Sequence, residues 1–371
     1  PAGTYLVTDT VTINCAVGGA VTGLTVFGDS CGGLRANPLR SGNFLGTALI
    51  WGGEAGGIMF DVIGSTGMTI KDLNLYGINP NKEDAARAGI LIQMHSKKGY
   101  GSMINRFSSL TLGSADTGFR FGSEVNMCAS DCLFEFITVR NLDTAFKVLH
   151  SQGVDFLFNF MFALSCKTVF QFEHGGNVQV NTAQCTGCDL VVDIRGGGRN
   201  TGTYLFSNVR LESGSGGRTN RHQLLRCYPK WRQANVKFIN YDDCQWNWKS
   251  NQTPKRNTPL CDIGPGSAVV IESSIFNGPV AALNGMEDAP ANLITRECSF
   301  GFITPEEAIM ANSFGYVKLL NNFTDKMKPL PDLVKWPNLT STIVTSPTFQ
   351  GKPLEGYKPG STGPGKDIAE K

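Results

Sequence analysis

Apolar and polar residues alternate with a period of two through most of the chain. The alternation comes in short runs that end in a turn. One set is "MTIKDLNLYG" at 68, "SMINRFSSLTLG" at 102, "LFEFITVRN" at 133, "FLFNFMFAL" at 156 and "NVQVNTAQC" at 177. It continues with "TYLFSNVRLES" at 203, "NVKFINYDDCQ" at 235, "AVVIESSIFNG" at 268, "NLITRECSFG" at 292 and "YVKLLNNFT" at 316. Successive starts lie about 22 to 35 residues apart, the range of solenoid coils. A second set lies between them: "TGFRFG" at 117, "TAFKVL" at 144, "TVFQFE" at 168, "LVVDIR" at 190, "QLLRCY" at 223, "PLCDIG" at 259, "PVAALN" at 279 and "AIMANS" at 308. Period two places alternate side chains on opposite faces of a strand. The pattern predicts an all-β, right-handed parallel β-helix in which like positions stack from coil to coil, and no coil buries its core alone.

Helical periodicity is nearly absent. "PNKEDAARAGILI" (80–92) is the one segment that reads as a helical turn, inserted as a loop. A β-propeller would repeat at roughly 40 to 50 residues. A β-sandwich of this length would need two domains and a linker, and no linker shows before about residue 325. The predicted organisation is a β-helix over 1–324 and a Pro/Gly-rich tail over 325–371. The tail's apolar residues, such as Leu333, Val334, Trp336 and Phe349, favour docking on a neighbouring subunit.

The 371 residues exceed a typical single compact domain but suit an elongated repeat. Glycine (44) and phenylalanine (23) fit many turns around an aromatic interior. A net charge of +2 leaves no nucleic-acid footprint, and no apolar run is long enough to cross a bilayer. Several of the 11 cysteines sit within strands, such as Cys227 and Cys261, and read as buried thiols. Cys185 and Cys188 have CxxC spacing but no second pair to complete a zinc site. No metal or cofactor is expected. A disulfide framework remains the alternative for the cysteines. The chain opens at Pro1 without a signal peptide, so an upstream portion is expected to be missing or processed.

The opening "PAGTYLVTDTVTI", followed by "LTVFGDSCGG", "TALIWGGEAGGIMFDV" and "GSTGMTIKDLNLYG", resembles the first coils of the pectate-lyase-like parallel β-helix superfamily. In style it is closest to bacteriophage tailspike and depolymerase proteins. The resemblance is specific for residues 1–77 and topological for 100–324. It implies a polysaccharide partner, a homotrimer, and a place on a virion tail beside other tail proteins, or outside a cell. A secreted lyase or hydrolase is the first rival, and a non-catalytic adhesive protein the second. The superfamily hosts many chemistries, so the likeness speaks to fold more than to reaction.

Stacking turns outward residues of successive coils into ladders. In the second set Phe146, Val148, Phe170, Phe172, Val192 and Ile194 should face inward. Lys147, Gln171 and either Val191 or Asp193 then face outward, with Leu149, Glu173 and Arg195 beside them. Arg226, Tyr228 and Asp262 continue that face. The corner "FEHGGNVQV" (172–180) adds His174. Glycosidases hold two carboxylates about 5 Å apart when retaining and about 6.5–9.5 Å when inverting, which match one and two rungs. Glu173 is the candidate acid and Asp193 the candidate base or nucleophile. A lyase would use His174 as base, with Arg195 or Lys147 neutralising the sugar carboxylate. The competing reading is that these charges pair across rungs.

A second strip joins Arg210, Glu212, Asp242, Asp243, Glu272, Arg296 and Glu297. There the adjacent Asp242 and Asp243 are a weak calcium candidate. Trp246 and Trp248 alternate in "CQWNWKS" and could stack on sugars or pack under the loop that follows. The basic loops 213–222 and 249–259 would suit an acidic polysaccharide.

Overall fold

A computed structural model describes residues 2–15, 23–30, 46–79, 85–96, 101–123, 129–196, 202–212, 222–229, 233–244, 259–277, 280–301, 309–311, 314–324, 328–330, 332–335 and 343–345. Among them every regular element is a β-strand. The later repeats contribute three strands each, whereas at Thr69–Tyr76, Arg106–Gly113 and Cys132–Arg140 the last two run on as one strand. One repeat runs Thr144–Val148, Val154–Phe158 and Met161–Leu164. The next runs Thr168–Phe172, Gly176–Val180 and Ala183–Thr186. Each strand pairs in parallel with its counterpart one repeat later.

The first strands of the repeats form an 11-stranded sheet, here wall I. The other two belong to a 22-stranded sheet, which turns a corner between wall II (Val154–Phe158 and its counterparts) and wall III (Met161–Leu164 and its counterparts). These long parallel sheets are consistent with a parallel β-helix. Wall I contains the second set of runs read from the sequence: Thr117–Phe121, Thr144–Val148, Thr168–Phe172, Leu190–Ile194 and Gln223–Cys227 follow one another in order.

The expected inward residues are buried: Phe146, Val148, Phe170, Phe172, Val192 and Ile194 are each at most 2% exposed. On wall I, Phe119, Phe146 and Phe170 stack at 5.1 and 5.2 Å. Opposite them on wall II, Phe134 stacks on Phe158 at 4.3 Å. The two columns meet edge to face, with Phe146 4.8 Å from Phe158 at 82°, a favoured aromatic geometry. In-register pairing thus converts a repeated Phe into a continuous column.

The corner between walls II and III is made by one residue per repeat. That residue has positive φ at Asp72, Ser109, Phe136, Asn208, Asn240, Ser273, Glu297 and Asn321, from 50° to 57°. Asn tolerates this conformation better than most residues. Asn208 also donates to the Asn181 carbonyl at 3.0 Å and accepts from Asn240 at 2.7 Å.

The segment 80–92 is not a helical turn where described. Residues 85–89 have no regular structure, and Ile90–His95 is a wall I strand paired with Ile58–Ile63 and Thr117–Phe121. Burial of Ile90, Ile92 and Met94 between these neighbours outweighs local helix propensity. At the other end, Asp332–Lys335 pairs antiparallel with Gly315–Leu320, and Ile343–Thr345 pairs with Asp332–Lys335. This part of the tail docks on the chain's own last repeat. Of the nine described cysteines, all free, eight are buried.

Candidate functional site

The outer face of wall I carries two polar ladders. Strand register aligns Asp61, Gln93, Arg120, Lys147, Gln171, Asp193, Arg226 and Asp262 in one continuous row. Asp193, rather than Val191, therefore occupies the outward position. Two residues further along each strand, the main-chain bonds Glu173 N–H to Val148 C=O, Arg195 N–H to Phe172 C=O and Tyr228 N–H to Ile194 C=O set the second row. The local chain path needs glycine. Gly175 has φ +85°, and a Cβ there would meet the Gly153 carbonyl at 2.2 Å. A Cβ on Gly196 would lie 1.8 Å from the Glu173 carbonyl oxygen.

Glu173 and Asp193 come together, but through a cation. Arg195 donates from Nη1 to Glu173 Oε1 at 3.1 Å and from Nε to Asp193 Oδ2 at 2.7 Å. Arg226 adds Nε to Asp193 Oδ1 at 2.8 Å and Nη2 to Oδ2 at 2.5 Å. The Asp193 side chain is 0% exposed. Both its oxygens are occupied by guanidinium donors, so neither is presented to a sugar or a water. A base or nucleophile role for Asp193 does not fit this arrangement; its geometry is that of an anchor for two arginines. Glu173 is 27% exposed and also accepts from Gln171 Nε2 at 2.5 Å.

His174 is half-buried on the same corner. Its neighbour His150 is buried and accepts the Gln152 N–H at Nδ1, 2.9 Å away. Burial, with the nearby His174 charge second, lowers the His150 pKa. Lys147 is half-buried in register between Arg120 and Gln171, and among the described residues it makes no ion pair. Tyr228 donates to Asp262 Oδ1 at 2.6 Å and accepts from Asn284 at 3.0 Å. Burial, then the Asp262 contact, pushes its phenol up to about 12. Trp246 and Trp248 lie outside the described residues, as do 213–221 and 249–258.

On the second strip Arg210 lies 3.0 Å from Glu212 and 3.7 Å from Asp242. Glu272 takes Lys237 at 2.7 Å and Arg296 at 3.4 Å. Asp243 is 1% exposed and aligned with the buried Leu211, whereas Asp242 aligns with the exposed Arg210. The two adjacent carboxylates point to opposite faces and do not form a calcium pair.

Sequence reasoning missed a cluster at the start of the first ladder. His95 Nε2 lies 2.9 Å from Asp61 Oδ1, which also accepts from Gln93 Nε2 at 2.8 Å. Gln93 Oε1 in turn accepts from Arg120. Burial raises the Asp61 pKa, but the His95 and Gln93 hydrogen bonds and the His95 and Arg120 charges outweigh it, leaving the carboxyl below its usual range. "FDV", "LIQMH" and "FRF" carry the same alternation as the later runs. Extending the ladder toward the N-terminus would have found these residues.

A groove of about 510 Å³ lies on the outer face of wall II, lined by Asp155, Leu157, Asn177, Gln179, Thr203 and Leu205. In comparisons with family models, curated proteins and solved structures, nothing matches this chain.

Proposed function

We propose that the three walls close into a right-handed parallel β-helix of the pectate-lyase-like kind, and that the chain is a polysaccharide-binding protein in the style of a tailspike. It would act on a virion tail, beside other tail proteins, or outside a cell, with a cell-surface polysaccharide as ligand. The observation that carries this reading is the in-register polar strip on wall I. There Lys147, Glu173 and His174 remain partly open beside a rigid Arg195–Asp193–Arg226 framework. A stiff sheet that holds charged and hydrogen-bonding groups about 4.8 Å apart suits a repeating ligand of hydroxyl and carboxylate groups. Binding without two-carboxylate hydrolysis is favoured, because the second carboxylate is covered.

A panel of neutral and acidic polysaccharides tests this by affinity electrophoresis and by assay of reducing-end and unsaturated-sugar release. Retention by at least one acidic polysaccharide is expected, weakened several-fold by Lys147→Glu. Absence of retention across the panel would sink the reading. Reducing-end release abolished by Asp193→Asn would restore the hydrolase.

A further inference from the structure

The turn that leads from wall III back to wall I is also in register. Lys167 N–H donates to the Leu142 carbonyl at 3.0 Å, and Asp189 N–H donates to the Cys166 carbonyl at 3.1 Å. Leu142, Cys166 and Cys188 therefore form one column, and all three are buried. A leucine opens the column, and the next two repeats each place a thiol there. Cys166 Sγ lies 3.7 Å from the Leu164 carbonyl, and Cys188 Sγ lies 3.7 Å from the Thr186 carbonyl. The same side-chain geometry one rung apart sets the two sulfurs against each other, and the Cys188 thiol donates to Cys166 Sγ.

Cys185 completes the CxxC spacing with Cys188, but the fold treats it differently. It sits on wall III between Ala163 and Leu211 in register, fully buried. Burial, and then the Cys166 charge, raises its pKa. Among the described residues no three His, Cys, Asp or Glu side chains are grouped to hold a metal. The sequence neighbour of Cys188 is thus Cys185, whereas the partner that stacking gives it is Cys166.

We propose that Cys166 and Cys188 are an oxidation site, closing to a disulfide that ties together the two rungs bearing Glu173 and Asp193. Successive rungs lie about 4.8 Å apart, within the Cα separations that a disulfide spans. Both residues lie between strands, just before Thr168–Phe172 and Leu190–Ile194. The hydrogen bond from Cys188 lowers the Cys166 pKa and raises that of Cys188, so Cys166 supplies the attacking thiolate. It attacks a small disulfide and releases one thiol. Cys188 then gives up its proton, attacks the Cys166 sulfur and releases the second thiol. The reagent's S–S bond breaks, one S–S bond forms in the protein, and two protons and two electrons leave with the two small thiols. The proposal does not rest on polysaccharide binding at wall I.

The test treats the full chain with hydroxyethyl disulfide near pH ~8, in buffer and in urea just below the unfolding transition, so that burial of the sulfurs does not hide the reaction. Remaining thiols are alkylated in denaturant and the chain is digested with trypsin. Cleavage after Lys147, Lys167 and Arg195 leaves Cys166 in Val148–Lys167, and both Cys185 and Cys188 in Thr168–Arg195. A dithiothreitol-sensitive link between these two peptides is expected, with the alkyl group on Cys185. Cys185→Ala should keep the link and Cys188→Ala should lose it. Oxidation in full denaturant should instead favour Cys185 with Cys188, which close the shorter loop. Alkyl groups on both Cys166 and Cys188 after oxidation of the folded chain, or a bond between Cys185 and Cys188 there, overturns the proposal. So does an equal yield of the Cys166–Cys188 link from folded and unfolded chain, because the fold would then not select the pair.

Discussion

The outer face of wall I and the corner between walls II and III make opposite use of the same repeat. On wall I, charged side chains that would ordinarily be solvated are tied to one another, and Asp193 disappears beneath two arginines. At the corner, side chains that would ordinarily be buried are left in water, with Phe136 at 66% exposure. A parallel stack enforces likeness between neighbouring repeats, so a departure is easy to see. Polarity satisfied from rung to rung serves the fold. Apolar surface that no rung satisfies, as at Phe136, stays in water.

The largest effect should separate two phenylalanines of one strand. Phe134 is fully buried, stacked on Phe107 and Phe158 and edge-on to Phe119. Phe134→Ala should cost about 3–5 kcal/mol through lost burial and the cavity it leaves. Phe136→Asn, two residues on, should change stability by less than ~1 kcal/mol and in the stabilising direction, because Asn accepts positive φ. Denaturant unfolding checks both. Comparable losses at the two sites would erase the distinction between core and corner.

A smaller contrast sharpens the reading of wall I. Asp193→Asn keeps the shape but removes the carboxylate that Arg195 and Arg226 share, leaving Arg195 with Glu173 alone at 3.1 Å. Removing one partner of a buried pair costs about 3–5 kcal/mol. Both arginines are at least 40% exposed and can turn toward water, so about 1–3 kcal/mol is expected after that discount. Glu173→Gln, on the more open carboxylate, should cost at most ~1 kcal/mol. Equal costs in thermal unfolding would show that Asp193 does not anchor the pair.

The sheets were legible in the sequence because alternation and repeat spacing are both local signals. The row Lys147, Gln171, Asp193, Arg226 and Asp262 was legible for the same reason, since parallel pairing in register stacks like positions. What period two does not reveal is how far a neighbour's long side chain reaches. Asp193 faces outward by alternation, yet Arg195 and Arg226 close over it. Nor does it survive the corner. In "LFEFITV" strict alternation sends Phe134 and Phe136 both inward. The single positive-φ residue breaks the phase, turning Phe136 out and Ile137 in. Asp61 and His95 lie on runs with the same alternation, "FDV" and "LIQMH", so the ladder reaches them without any new signal.

The smallest expected effect concerns pH and lies at the rim of wall I. Burial, and then the His174 charge, lowers the His150 pKa in the folded chain. The unfolded chain keeps the ordinary value near ~6.5. As pH falls through that value the unfolded state takes up the proton first, so stability falls with pH. The loss levels off below the folded value, and above about pH 7.5 the group contributes nothing. Protonation at Nδ1 would also remove the acceptor for the Gln152 N–H. Asp61 acts in a different window. Its folded pKa is also lowered, so the stability it adds is fully present above the ordinary value near ~3.9 and is lost only at lower pH. The two are therefore separable. Melting temperature should decline from about pH 7.5 to about pH 5.5, and His150→Gln should flatten that decline while leaving the steeper loss below about pH 4 in place. Parallel curves for the variant and the parent across the upper window would mean that His150 titrates as it does in the unfolded chain, and the rim would then be no more constrained than an open loop.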